Sequence, residues 1–483
     1  MNRRMVLYTL GYLSMANAAL LSLPMLVSLV YGEFESMWAF MTALGISFGL
    51  GLILRFTTRP SNKVIYAKEG FAIVTYAWLI MAAIGALPFV ITGAIPSYVD
   101  AFFETVSGFT TTGASILSGD SLTAMSHGLL FWRSFTHWVG GMGVLVFVMA
   151  IIPNISDRSI HIMRAEMPGP EVGKLLPKAR DTAKILYLIY IAMTAVEVVL
   201  LLFGGMSMFD SLVHSFGTAG TGGFGIKPDS IGGYTPYLQW VIAIFMLIFG
   251  INFNLFYLLL IGKFKAVFKN TETWVYLSIV GVSVAIITIN IFSLYSSFEE
   301  SLRMSTFQVA SIISTTGYST ADFNMWPGLS KAILLILMFT GACAGSTAGG
   351  LKMSRLVLLV KSVFRELKKM LHPRSVKVVK VDGKRVDEQV LGSVTTYFAI
   401  YMLCTLSIFL LLSYEPFSME TNFSATVACF NNIGPGFAGV GPAESYGAYS
   451  DFSKILLSFA MLLGRLEIFP LILGINPVVW RKR

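Results

Sequence analysis

Four short glycine-centred segments recur along this 483-residue chain: Thr110-Thr111-Thr112-Gly113, Gly220-Thr221-Gly222-Gly223, Ser314-Thr315-Thr316-Gly317 and Asn431-Asn432-Ile433-Gly434. Each follows a short apolar piece, at 98–109, 208–219, 302–313 and 420–430, and each is flanked by long apolar runs. A helix needs about 20 apolar residues to cross a bilayer, so these pieces are too short to cross and read as re-entrant half-helices. A polar loop at membrane depth is tolerated only where it lines a cavity or is buried in protein. Four such wedges predict one axis with the loops around it, and that axis reads as a pore.

The rest of the chain fits a membrane protein. It is 55% hydrophobic and 13% charged, where a soluble chain carries about 25% charged residues. Ten spans are expected, at roughly 5–30, 36–55, 70–93, 127–152, 183–204, 236–262, 271–295, 329–360, 391–413 and 453–475. Arg3 and Arg4 precede the first apolar run, which is long enough to span and is read as a retained helix, not a cleaved signal. Cys343, Cys404 and Cys429 are scattered and form no disulfide framework or metal spacing, and the five histidines lack a paired HExxH pattern.

The net charge of +9 is a statement about topology. Of 35 Lys and Arg residues, 28 fall in 1–4, 55–69, 154–182, 263–270, 352–390 and 481–483. The intervening loops hold acidic residues such as Glu33, Asp100, Glu104, Asp120, Asp210, Asp229, Glu299 and Glu300. This alternation is the positive-inside bias, which places both termini in the cytoplasm and leaves no reason to expect nucleic acid as a partner.

Aligning the four loops on their last glycine exposes an internal repeat. Six residues earlier stand Ser107, Gly217, Ser311 and Ala428, and two earlier stand Thr111, Thr221, Thr315 and Asn432. Asp100 and Asp210 share one register, Phe103 and Phe307 another. The order span, half-helix, loop, span thus occurs four times, as expected for one unit copied around an axis. The units are 70–182, 183–270, 271–390 and 391–483, with two N-terminal spans in 1–69 outside the repeat. The expected fold is an all-α polytopic membrane protein with a pseudo-fourfold central pore.

Such loops suit a dehydrated monovalent cation. Rings of backbone carbonyls replace the hydration shell in potassium filters, glycine reaches the backbone angles required, and threonine and serine add hydroxyl oxygens. A half-helix ending just before each loop directs its negative dipole end at the ion. Potassium is the expected ion, with sodium left open. The units SGFTTTGAS, GTAGTGGFG, SIISTTGYS and CFNNIGPGF resemble those of the Trk/Ktr/HKT superfamily of cation transporters. The two extra N-terminal spans and a broken eighth span make the likeness closest to its bacterial TrkH/TrkG branch. The resemblance implies potassium uptake in the inner membrane and a homodimer associated with a cytosolic TrkA-type nucleotide-binding ring. Potassium is then the substrate, held by all sixteen loop residues named above, and no cofactor is implied. The fourth loop departs most, with Asn431-Asn432-Ile433 in place of Thr and Gly.

Two features lie beneath the loops. The eighth span breaks at 341–350, where Gly345, Ser346, Thr347, Ala348, Gly349 and Gly350 hold a helix poorly, since an interior glycine costs about 1 kcal/mol against alanine. A close helix seam or a flexible loop fits this composition, and the resemblance implies an intramembrane gate. Arg465 lies mid-way along the last span, and an intramembrane charge marks function by default. Facing the pore and pairing with a neighbouring span are its two readings, and in the resemblance an arginine projects under the filter. Glu197 receives no role, while His127, His137 and Trp138 read as interfacial anchors. The basic segment 352–390 faces anionic lipid and contains an Asp382-Gly383 hairpin signal. It also follows the break directly, so it can transmit a partner's movement to the gate. A proton- or sodium-coupled symporter is the alternative mechanism. A membrane enzyme is disfavoured, because no nucleophile–base set or carboxylate pair appears.

Overall fold

The computed structural model describes residues 1–60, 65–143, 179–374 and 377–476. The inner part of the fourth expected span, most of the basic stretch 154–182 and the terminal cluster 481–483 lie outside the described residues. Among these, six helices are long and apolar enough to cross a membrane: Arg3–Val30, Phe34–Thr57, Ala67–Ile91, Asp181–Phe203, Thr271–Leu294 and Glu388–Leu412. Between them sit four short helices, Tyr98–Phe109, Met208–Gly220, Phe298–Ile313 and Met419–Phe430. Each has a serine N-cap (Ser97, Ser207, Ser297 and Ser418) whose side chain accepts from the backbone N–H three residues on. That cap satisfies donors which the membrane would otherwise strand. Each short helix then ends at one of the four glycine loops.

In units two, three and four the second helix does not run straight through. Pro236–Phe249 and Phe253–Leu260 meet at 92°, and Asp451–Arg465 and Phe469–Ile475 meet at 119°. The sixth and tenth expected spans are therefore bent, not continuous, and the eighth is interrupted between Thr340 and Met353. The broken ends satisfy one another: Cys343 N–H donates to the Gly250 carbonyl at 3.0 Å and Phe253 N–H to the Gly345 carbonyl at 3.0 Å. Exchange of this kind is what makes irregular backbone tolerable inside a membrane protein. In the last unit Glu467 and Ile468 take positive φ of 55° and 63°. Pro470, which has no N–H to donate, then opens the new helix from its first turn.

The basic segment forms a hairpin, with Lys380–Val381 antiparallel to Lys384–Arg385 across Asp382-Gly383. Both turn residues have positive φ, 49° and 79°, as a tight primed turn requires. The two N-terminal helices are tied to the first unit by a cap from outside it. The helix His127–Gly141 has no cap bond from its own N-cap, Ser126. Glu33 supplies one, accepting from the N–H groups of His127 at 2.7 Å and Gly128 at 3.0 Å. The same carboxylate reaches His127 Nδ1 at 2.9 Å, and Tyr31 stacks on that ring. We predict that Glu33→Ala lowers stability by about 1 kcal/mol, read as a lower melting temperature in detergent. An unchanged melting curve would show that Glu33 does not stabilise this helix end.

Candidate functional site

The four loops share one backbone shape. The residue two before each glycine is left-handed: Thr111 at φ 55°, Thr221 at 54°, Thr315 at 57° and Asn432 at 57°. The glycines follow at 77°, 77°, 89° and 96° for Gly113, Gly223, Gly317 and Gly434. Each short helix closes with paired bonds. Thr111 N–H reaches the Gly108 carbonyl at 3.1 Å and Thr112 N–H the Ser107 carbonyl at 2.9 Å. The same pattern joins Thr221 to Thr218 and Gly222 to Gly217, Thr315 to Ile312 and Thr316 to Ser311, and Asn432 to Cys429 and Ile433 to Ala428. This is the Schellman ending of a helix, usually built on glycine. A β-branched threonine at positive φ is a costly choice, of about 1–3 kcal/mol, that persists where the surroundings fix it. Asparagine tolerates the same conformation, which is why the divergent fourth loop keeps the shape of the others.

Close approach of the loops turns four repeats into one ring. A Cβ added to Gly113 would lie 2.0 Å from the Gly222 carbonyl oxygen, and one on Gly223 2.0 Å from that of Thr316. One on Gly317 would lie 2.1 Å from the Ile433 oxygen, and one on Gly434 2.6 Å from the Thr112 oxygen. Loop one thus meets two, two meets three, three meets four, and four meets one. At every joint a glycine faces the carbonyl of the residue just before the next glycine. A cavity of about 450 Å³ opens over this ring and is lined by all four glycines, with Arg133, Lys227, Asp229 and Glu444 among its charged walls.

Polar bonds hold the ring in place. The hydroxyls of Thr110 and Thr112 meet at 2.8 Å, and those of Ser314 and Thr316 at 2.7 Å, so units one and three match in side-chain detail as well. Asn432 Nδ2 donates to Thr112 Oγ1 at 3.0 Å and to the Met461 carbonyl at 2.9 Å, closing the seam between loops four and one. Asn431 accepts from Tyr401 Oη at 2.8 Å, and the Gly434 carbonyl accepts from Tyr446 Oη at 2.7 Å.

His137 is not an interfacial anchor. It is fully buried, with Nδ1 2.7 Å from the Gly108 carbonyl and Nε2 accepting from Phe224 N–H at 3.3 Å. The carbonyl requires a donor at Nδ1 and the amide an acceptor at Nε2, so the ring is neutral and bridges loops one and two. Trp138 is half-buried, stacking on Phe135 and Tyr190, whereas His127 stays exposed beside Glu33.

Sequence reasoning missed the strongest brace. Arg133 Nη2 lies 2.7 Å from Glu104 Oε1, with both side chains almost wholly buried. The guanidinium also reaches the Gly225 carbonyl at 3.1 Å, while Glu104 accepts from Ile116 N–H at 3.0 Å. One ion pair therefore fixes the backbone that leaves loops one and two. An arginine inside the apolar run 127–143 was the available signal.

Below the ring, the 341–352 segment is an ordered loop pressed against loops three and four. Gly349 N–H donates to Thr315 Oγ1 at 2.7 Å, and a Cβ on Gly349 would lie 2.6 Å from the Asn431 carbonyl oxygen. Lys352 folds back to donate to the Ala348 carbonyl. Arg465 is not mid-span: it ends its helix at the 119° bend. Its guanidinium donates to the carbonyls of Thr347 at 2.7 Å, Gly140 at 2.5 Å and Gly141 at 2.6 Å. It thus joins the loop to the first unit. Glu467 pairs instead with Arg355, at 2.5 Å, and Arg355 lies 3.9 Å over the Tyr397 ring.

Fold and site together define a polytopic membrane protein with a pseudo-fourfold re-entrant core. The family model of the TrkH cation transport proteins matches residues 36–478. The Trk system potassium uptake protein TrkH of Salmonella typhimurium is 35% identical over all of both chains. TrkG of Escherichia coli is 33% identical over 99% of each. The crystal structure of the potassium transporter TrkH from Vibrio parahaemolyticus superposes with a TM-score of 0.88 at 32% identity, covering all of both chains. This chain belongs to the TrkH family of cation transport proteins.

Removing one partner of the buried Arg133–Glu104 pair strands the other. Glu104→Ala is expected to cost about 3–5 kcal/mol, seen as loss of monodisperse protein or a sharply lower melting temperature. A variant as stable as the parent would show that the pair does not hold the ring.

Proposed function

We propose that this chain is the ion-conducting subunit of a potassium uptake system, with the four loops as its selectivity filter. The observation that carries this reading is the closed ring of glycine-to-carbonyl contacts at Gly113, Gly223, Gly317 and Gly434. Four backbone strands at one level, with hydroxyls of Thr110, Thr112, Ser314 and Thr316 behind them, supply oxygen ligands of the kind a dehydrated cation requires. The helix ends beneath the loops add negative dipole to the same place. The curated relatives at 33–35% identity are potassium uptake proteins by name, which supports potassium over sodium.

The loop 345–350 with Arg465 is the gate in this reading. The loop packs directly against Thr315 and the Asn431 backbone, and the arginine sets a positive charge where a leaving cation must pass. The chain sits in the inner membrane with both termini cytoplasmic, on the charge alternation of the basic segments. It works as a homodimer with a cytosolic nucleotide-binding ring resembling TrkA, a partner that the system names of the relatives support.

Purified protein in proteoliposomes is expected to take up rubidium in competition with potassium and against little sodium. Flux that follows an imposed proton gradient at fixed potassium gradient would favour the symport mechanism. Gly223→Ala places a methyl 2.0 Å from the Thr316 carbonyl oxygen. It is expected to lower rubidium flux at least about tenfold, equivalent to about 1.4 kcal/mol, or to erase the preference over sodium. Wild-type selectivity in that variant would contradict the filter assignment. Arg465→Ala releases the Thr347 tether and the charge together, and should raise rubidium flux several-fold while the protein still inserts. Unchanged kinetics would sink the role given to Arg465.

A further inference from the structure

The structure assigns Glu272 and Asp382 as positioning residues that hold the intramembrane loop in place and link it to the cytoplasmic hairpin. This rests on the reading of that loop as the gate. Glu272 lies in the first turn of the helix Thr271–Ile291. Its Oε1 accepts from Ala344 N–H at 2.6 Å and from Ser354 N–H at 2.9 Å. Ala344 lies just before the 345–350 stretch and Ser354 in the first turn of the helix Met353–Leu371 that follows it, so one carboxylate oxygen clasps the two sides of that stretch together. Hydrogen bonds from backbone amides to a carboxylate are among the stronger kind, and here they fix an otherwise glycine-rich segment.

The clasp is tied in turn to the hairpin. Asp382 Oδ1 accepts from Thr271 N–H at 2.8 Å and from Thr271 Oγ1 at 2.7 Å, one residue before Glu272. Asp382 is at the exposed hairpin tip, so this contact joins a surface element to the start of a membrane helix. The hairpin is also held to the helix Met353–Leu371, which begins where the loop ends. Lys361 Nζ donates to the Lys380 carbonyl at 2.9 Å. A closed circuit results: loop, helix 353–371, hairpin, Asp382, Thr271, Glu272 and loop again. A load that shifts the hairpin pulls on Thr271 and thereby on the residue that clasps the two sides of the 345–350 stretch.

The test is rubidium flux in proteoliposomes of the full chain without a cytosolic partner. Glu272→Ala is expected to raise basal flux several-fold, and Glu272→Gln, which keeps an acceptor oxygen, to stay near the parent. Asp382→Ala, a surface change with little risk to folding, should raise flux in the same direction by less. The double variant should conduct no faster than Glu272→Ala alone, because both act through one path. A residue that only stabilised the fold would move the melting temperature in both variants and leave single-protein flux alone. Parental flux in monodisperse Asp382→Ala, or fully additive effects in the double variant, would overturn the relay. Absence of rubidium flux from the parent would instead overturn the reading of the pore itself.

Discussion

The contact on which the rest of this structure depends is the approach of each ring glycine to the carbonyl of the next loop. At 2.0–2.6 Å from where a Cβ would sit, those oxygens leave room for hydrogen and nothing larger. Four loops can therefore lie at one level around one axis only if all four positions are glycine. The left-handed residue before each contact follows from the same demand, since the chain must reverse out of a short helix within three residues. Three threonines accept that conformation at some cost, and an asparagine accepts it more easily.

A ring this tight needs rigid walls, and the polar groups buried around it supply them. Glu104 with Arg133 and the neutral His137 secure loops one and two. Tyr446 and Tyr401 secure loop four. Each is a group that costs free energy when buried alone and adds specificity once every partner is present. Below the ring the logic is reversed. There the second helices of units two to four break, freed amides and carbonyls pair across units, and Arg465 and Glu272 hold a loop by a few hydrogen bonds. A segment held by few bonds can let go without unfolding its neighbours.

The loops, the half-helices and the register of their glycines were legible in the sequence, because each is a local consequence of residue type. Ser107, Gly217, Ser311 and Ala428 stand out by size, and each proves to be the carbonyl that ends a Schellman turn. The Asp382-Gly383 hairpin was legible for the same reason. The bends at residues 250–252 and 466–468 were not. Neither carries a glycine cluster like that of 341–350. The first is held by the backbone of Cys343 and Gly345, far away in sequence. The second closes locally through positive φ at Glu467 and Ile468, residues with no propensity for it. Arg465 read as a mid-span charge because the bend that places it was invisible. Arg355 and Glu467 are 112 positions apart, and Glu104 and Arg133 are 29 apart. No periodicity records such pairs, which tertiary packing alone brings together.

Four loops that make a single binding site for a dehydrated cation should hold that ion on their common axis. The most direct measurement is an experimental structure of the protein in thallium or rubidium, compared with one in sodium alone. Heavy-ion density is expected on the axis at the level of Thr112, Gly222, Thr316 and Ile433, coordinated by loop oxygens and absent in sodium. Density confined to the outer cavity, or an axis equally occupied in sodium, would contradict it.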